Sequence, residues 1–207
     1  MARNPLDAKR ALRRVVRERR RAVPPEQRTL ASAAAAEHLL ALPEVSVCRT
    51  LALYAALPDE ADPAVAIPRL LARGVQPLFP RVVGGELEFV PVDGLAALVP
   101  GFRGVREPPG QSIAADQLDV VVVPGVAFDT GGGRLGQGGG HYDRLLARLP
   151  ARILRVGFCL ALQLVTSVPR DPHDLAVDVL VTEEGAVRTM ARRDLPEARE
   201  DSILRDG

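Results

Sequence analysis

Residues able to do chemistry concentrate in one segment, Val120 to Leu149, which reads VVVVPGVAFDTGGGRLGQGGGHYDRLLARL. Seven of the ten residues from Gly131 to Gly140 are glycine. A run of valines leads in, and Tyr142, Leu145, Leu146 and Leu149 follow at the i, i+3, i+4, i+7 spacing of an amphipathic helix. The glycines therefore join the carboxyl end of a buried strand to a helix N-terminus, where open α/β sheets bind ligands. Free backbone N–H groups and the helix dipole favour an anion there, and glycine lets the backbone approach phosphate oxygens closely. Arg134 sits among the glycines and is able to bind phosphate bidentately. Asp143 falls in the first helical turn, where it either favours the dipole or holds Mg²⁺ between itself and a phosphate. A Walker loop is excluded because no Gly-Lys pair exists. Gly131-x-Gly133-x-x-Gly136 matches a dinucleotide fingerprint only formally, since the helix opens about four residues too late. The plainer alternative is a surface loop with no ligand, at odds with the entropic cost of ordering so many glycines.

The elements that must position this loop are legible from periodicity. A first helix is predicted over Leu6–Arg21, with Ala8, Ala11, Leu12, Val15 and Val16 on its apolar face. Arg10, Arg14, Arg17 and Arg21 fall on the opposite, outward face, whereas Lys9 and Arg13 border the apolar stripe and are able to reach a neighbouring cleft. A second helix is expected from Glu26 to Leu42, stopping at Pro43. Thr50–Ala55 reads as a strand, and Asp62-Pro63 opens a helix ending near Arg73-Gly74. Val75–Phe79 and Leu87–Val90 read as strands around a Gly84-Gly85 turn, and residues 91–117 as loop. Leu118–Val123 reads as a strand buried on both faces, followed by a helix over Gly140–Leu149 and strands at Ile153–Phe158 and Val177–Val181. Alternating strands and helices imply a three-layer α/β/α domain with a mainly parallel sheet. The expected division is a single domain over residues 1–185 and a charged tail over 186–207.

Composition narrows the function. The 207 residues are 47% apolar with a net charge of +1, enough for one packed domain. Residues 1–28 carry ten basic and three acidic side chains, while the remainder carries 17 basic and 23 acidic ones. With seven aromatics in all and none interleaved among the basic residues, a nucleic-acid module is disfavoured. No apolar run approaches the roughly 18 residues of a membrane span. Two cysteines, Cys48 and Cys159, give no disulfide framework, and three histidines give no metal cluster. A cytoplasmic, reduced protein is expected, without nucleic-acid or membrane partners. Of 27 basic residues only Lys9 is lysine, so a compact ammonium is needed there or was retained by chance.

The run PGVAFDTGGGRLGQGGGHYDRLL resembles the signature of the 5-formyltetrahydrofolate cyclo-ligase family, also called 5,10-methenyltetrahydrofolate synthetases. Weaker blocks occur in the family's order: KRALR at Lys9–Arg13, LYAALPDE at Leu53–Glu60, FPRV at Phe79–Val82, REPP at Arg106–Pro109, and Val156–Gly185 with Gln163, Pro169, His173-Asp174 and Asp178. The resemblance implies an α/β/α fold similar to the ribose-phosphate isomerase and CoA-transferase architecture. It implies conversion of 5-formyltetrahydrofolate and ATP to 5,10-methenyltetrahydrofolate, ADP and phosphate, with Mg²⁺ as cofactor and ATP as co-substrate. It also implies reduced folate and ATP as the small-molecule partners of a monomer or weak homo-oligomer.

Carried onto this sequence, ATP contacts fall on Lys9, Arg10, Ala11, Leu12 and Arg13, and on Arg134, Leu135, Gly136, Gln137, Gly138, Gly139, Gly140, His141 and Tyr142. Folate contacts fall on Ala55, Glu60 and Tyr142, metal contacts on Asp143 and Asp178, and the catalytic charges are Arg134 and Lys9. Plainer readings stand beside these: Lys9 as a solvated helix charge, Glu60 as a helix cap, Asp178 as a strand-end polar residue, Tyr142 as an apolar anchor, and His173-Asp174 as a loop-fixing pair. Two departures from the family pattern are Gln137, where arginine is frequent, and His141, where tyrosine is usual; Arg103 stands where some members place an aromatic. The alternatives are a diverged relative that binds without turnover and a sugar-phosphate isomerase or transferase on the same fold.

Overall fold

The computed structural model describes residues 5–101, 104–171 and 174–193. The expectations for Arg103, for His173 and for the tail beyond 193 lie outside the described residues. In chain order the elements are α1 (Pro5–Arg21), α2 (Pro25–Leu40), α3 (Pro43–Val47), β1 (Thr50–Ala52), α4 (Ile67–Ala72), β2 (Gln76–Val83), β3 (Glu86–Pro91), β4 (Val99–Pro100), β5 (Arg106–Glu107), β6 (Val120–Val123), β7 (Ala127–Phe128), β8 (Arg134–Leu135), α5 (His141–Arg148), β9 (Leu154–Phe158), β10 (Val179–Thr182), β11 (Gly185–Arg188) and α6 (Met190–Arg193).

Seven strands form one sheet in the order β11-β10-β9-β6-β1-β2-β3. The five inner strands are parallel, and β3 and β11 add antiparallel edges. Strand alternation divides the core between two layers. Leu51, Leu53, Val120, Val122, Val156 and Val179 pack with Leu39 of α2 and Leu70 of α4. Ala52, Val121, Val123 and Leu180 face the other way, against Leu145 and Leu146 of α5. The three-layer α/β/α architecture with a mainly parallel sheet is as the sequence predicts.

Several boundaries differ from expectation for local reasons. The second helix stops at Leu40, and Pro43 opens α3 instead of merely ending its predecessor, because proline suits a first helical turn. The helix expected from Asp62 begins as a 3₁₀ turn, Pro63–Ala66, in which the Ala64 N–H donates to the Asp62 carboxylate at 3.0 Å. The strand ladder of β1 ends at Ala52, and the chain continues past it as irregular backbone. Gly185–Arg188 extends the sheet as β11, so ordered structure runs past the boundary drawn at 185. Cys159 is buried in the core, and burial pushes the half-buried Cys48 thiol up to about 11, with Asp119 adding to the shift.

The first helix lies over the glycine segment. Leu12 and Val16 pack on Val126, Ala127, Leu135 and Val168, while Ala11 is exposed. Two ionic ties hold the helix there. Lys9 Nζ lies 2.7 Å from both Asp171 Oδ2 and Asp174 Oδ2, and the fully buried Arg20 reaches Asp59 Oδ2 at 2.8 Å and Glu60 Oε1 at 3.3 Å.

Candidate functional site

The order of the parallel strands reverses between β1 and β6: the chain proceeds outward to β2 and β3 on one side, and to β9 and β10 on the other. Adjacent strand ends at such a switch point leave a crevice at their carboxyl edge. The structure has a cleft of about 610 Å³ at that place. Tyr54 and Ala55 enter it from beyond β1, and Pro124 from beyond β6. Its apolar wall includes Pro80, Val82 and Leu87 from the β2–β3 arm, and its polar rim includes Glu60, Glu107, Arg134, Gly136–Gly140, His141, Tyr142 and Asp143.

The glycine segment is an ordered hairpin, not a loose loop. Strands β7 and β8 pair antiparallel, with Phe128 opposite Arg134. Asp129 turns the chain between them: its carboxylate accepts the N–H groups of Gly133 at 2.8 Å and Val168 at 2.7 Å, and Arg170 Nη2 at 2.9 Å. Burial alone pushes this carboxyl up, but the two N–H groups and the guanidinium outweigh it and hold it below the usual range. Gly132, at φ +85°, has no room for a side chain, because a Cβ would lie 2.6 Å from the Val177 carbonyl. Gly140 adopts φ +70° at the residue before α5.

The hairpin delivers Arg134 to the cleft almost fully buried, at 7% exposure. Its Nη1 donates to the Pro124 carbonyl at 3.2 Å, its Nη2 to Asp143 Oδ1, and its Nε has no partner. The guanidinium carbon lies 6.0 Å from the centroid of the Tyr142 ring, a cation–π geometry. The Tyr142 hydroxyl is also buried without a partner. Burial pushes its phenol well up; Arg134 opposes the shift and Glu60 adds to it, so the hydroxyl stays a donor at neutral pH. Two unsatisfied polar atoms beside one cleft have the geometry of groups awaiting a ligand.

At the other polar edge, Glu60 is buried and accepts the Leu57 N–H at 3.1 Å, Gln137 Nε2 at 2.9 Å and Arg20 at 3.3 Å. Gln137 Oε1 in turn accepts a bond from Arg17 Nη2. Gln137 thus bridges α1, the glycine segment and the Glu60 carboxylate. The cap of the following helix is Asp62, not Glu60.

The structure brings together Glu60, Ala55, Arg134, Gly136, Gln137, Gly138, Gly139, Gly140, His141, Tyr142 and Asp143. It separates others from them. Lys9 does not line the cleft; its ammonium is held by Asp171 and Asp174, which outweigh burial and raise its pKa. Arg10 is exposed beside Asp7, Ala11 faces solvent, and Leu12 and Leu135 pack on each other's cluster. Of Lys9–Arg13, Arg13 alone bonds the glycine segment among the described residues, through Nε to the Gly136 carbonyl at 2.9 Å. Asp178 does not reach the cleft: it precedes β10 at the amino end of the sheet, where its Oδ2 accepts the Arg155 N–H at 2.8 Å. The expected Asp143–Asp178 pair therefore has no common ion to share. Conversely, Arg17 was assigned to the outward face and yet lines the cleft, because α1 lies across the sheet's end and more than its apolar stripe meets a neighbour. Asp129 escaped the sequence reading as well, and Tyr54 lies within the LYAALPDE block without being singled out there. Asp129 left no clear local signal, because an Asx turn bonds two residues on, whereas this carboxylate accepts from Gly133 four residues on and from the distant Val168.

An open, mainly parallel α/β/α sheet, cleft at its switch point and rimmed by an ordered glycine hairpin carrying a buried guanidinium, defines the protein as an α/β enzyme. The profile of the 5-formyltetrahydrofolate cyclo-ligase family matches residues 5–183, and the chain belongs to that family. The Escherichia coli K12 protein named 5-formyltetrahydrofolate cyclo-ligase is 31% identical over 175 residues, covering 81% of this chain and 96% of that one. The mouse protein of the same name is 27% identical over 194 residues, covering 86% and 94%. The solution structure of Aquifex aeolicus 5,10-methenyltetrahydrofolate synthetase superposes with a TM-score of 0.79 at 35% identity, covering 94% of this chain and 99% of that one.

Proposed function

We propose that this enzyme cyclises 5-formyltetrahydrofolate to 5,10-methenyltetrahydrofolate, consuming ATP with Mg²⁺ and releasing ADP and phosphate. The observation that carries this reading is one cleft lined by two chemically distinct sets of groups. Arg134 and the glycine hairpin suit a transferring phosphoryl group, and Glu60 with an apolar wall suits a flat heterocycle bearing N–H donors. The reaction needs an N-formyl oxygen made into a leaving group. The formyl oxygen attacks the γ-phosphorus as the bond to ADP breaks; the N10 amine then attacks the activated carbon, an N10 proton is lost, and phosphate leaves. Positioning and charge neutralisation suffice, without a protein nucleophile.

Arg134 neutralises the transferring phosphoryl, its free Nε being the available donor. The backbone N–H groups of Gly136–Gly140 and the start of α5 cradle the phosphates, with Arg13 anchoring the segment from α1. Tyr142 donates its hydroxyl into the cleft, and Glu60 orients the pterin. Asp143 would hold Mg²⁺ through Oδ2, which carries no hydrogen bond among the described residues while Oδ1 accepts from Arg134. Magnesium would supply charge neutralisation at the phosphates. Lys9 acts by fixing α1, since reaching a phosphate would take its ammonium from two carboxylates.

Mixing the purified protein with 5-formyltetrahydrofolate and Mg-ATP is expected to produce the near-ultraviolet band of the methenyl product. Omitting ATP or adding a chelator is expected to abolish it. No band under any condition, with nucleotide binding intact, would identify a non-catalytic relative.

A further inference from the structure

One cleft carboxylate takes no part in the phosphoryl transfer or the ring closure. Glu107 of β5 is half-buried and lines the cleft with Pro80, Val82, Leu87 and Val105. The sheet explains its place. Strand β2 outruns its parallel neighbour β1, whose pairing stops at Leu78. Val82 therefore has no strand partner on that side, and its N–H donates to Glu107 Oε1 at 3.2 Å. Gly101 leaves room for the carboxylate, because a Cβ there would lie 2.5 Å from Glu107 Cγ, Cδ and Oε2.

Capping the edge of β2 accounts for one oxygen only. Among the described residues Oε2 makes no hydrogen bond, and neither oxygen meets a cation. The cleft's other two carboxylates are balanced by the protein itself. Glu60 accepts from Arg20, Gln137 and the Leu57 N–H, and Asp143 accepts from Arg134. A charge left beside an apolar wall without donors costs free energy, which a ligand bearing N–H groups would recover.

We propose, on the strength of the folate reading of the cleft, that Glu107 is a second substrate-binding carboxylate: its Oε2 accepts an N–H from the aminopyrimidine edge of the pterin, whose ring lies along Pro80, Val82 and Leu87. That edge presents an exocyclic amine next to a ring N–H, two donors side by side. An ionised carboxylate presents only acceptors and matches it. Adenine matches it less well, because its amine is flanked by ring nitrogens that themselves accept.

The test compares 5-formyltetrahydrofolate with its 2-desamino analogue as substrates of the full chain, wild type and E107Q. Glutamine keeps an acceptor for the Val82 N–H and puts an NH₂ donor in place of Oε2. The thermal midpoint is therefore expected to hold, while the pterin edge meets donor against donor. In the wild type the analogue's KM is expected to be about tenfold higher or more, the scale of one hydrogen bond to a charged group. In E107Q the KM for 5-formyltetrahydrofolate is expected to rise by a similar factor, the two folates to differ by no more than about twofold, and the KM for ATP to stay unmoved. E107D, which keeps the acceptors one methylene further back, is expected to restore part of the preference for the amine. A role confined to capping β2 would leave that preference whole in every variant. Three outcomes would overturn the inference while leaving the cyclisation reading intact. One is a wild-type KM equal for both folates, whatever the variants do; another is an E107Q that keeps the full preference for the amine; the third is a rise in the ATP KM in place of the folate's, which would give the carboxylate to the nucleotide. Absence of wild-type turnover with 5-formyltetrahydrofolate would remove the cyclisation reading, and this pterin contact with it.

Discussion

Arg134 and Tyr142 stack at 6.0 Å, and each holds one buried polar atom without a partner. A folded chain rarely leaves such atoms unsatisfied, since each costs about 1–3 kcal/mol of desolvation. Removing the Tyr142 hydroxyl therefore separates structure from function. Y142F is expected to leave the thermal midpoint unchanged or slightly raised, while raising a substrate KM about three- to tenfold, the worth of one neutral hydrogen bond. An unchanged KM for both substrates would remove the hydroxyl from the ligand contacts. Arg134 carries the heavier task. R134A is expected to slow kcat by roughly 10²-fold or more, the scale of losing one charge-stabilising group. A variant within a few-fold of wild type would take Arg134 out of the chemistry. Arg134 and Asp143 stood out in the sequence as charges among glycines. That they are bonded to each other did not, because the eight intervening residues turn through a left-handed Gly140 where α5 begins.

The glycine hairpin is the element on which the site depends, and Asp129 is its fastener. Its carboxyl is held below the ordinary range in the folded protein. The stabilisation it confers is then fully present above the unfolded carboxyl value, about pH 4, and is lost as pH falls through the lower folded value. D129N is expected to lose about 1–3 kcal/mol at neutral pH, having given up charge-assisted bonds from Gly133, Val168 and Arg170. Urea unfolding at several pH values would show a constant gap between wild type and D129N from pH 5 to 8, narrowing below about pH 4. A gap that widened in acid would contradict this account of the turn. Strand β6 was legible as a valine run, whereas β7 and β8, two residues each, carry too short a pattern to be read as strands.

At the scale of the molecule, α1 is a cap that closes the carboxyl end of the sheet, tied down at both ends by ions. Lys9 binds residues 162 and 165 positions away in the chain, and Arg20 binds those 39 and 40 away. Removing the ammonium leaves two carboxylates facing each other. K9A is expected to cost about 1–3 kcal/mol in urea unfolding, a figure discounted for the partly exposed Asp171. K9A/D171N/D174N is expected to recover part of the loss. If K9A alone leaves stability unchanged while raising the ATP KM tenfold or more, the ammonium serves phosphate and not the cap.

Composition, periodicity and the glycine run were enough to establish the α/β/α class, the order of most elements, the buried valine strand and the family. Each depends on local pattern: a two-residue or 3.6-residue period, or a glycine where φ must be positive. Which residues meet in the cleft was decided by the tertiary structure. A charged side chain goes to whichever opposite charge the fold brings near, however far away in the chain. Lys9 therefore went to Asp171 and Asp174, Asp178 went to a backbone N–H at the far end of the sheet, and Arg17 was turned into the cleft.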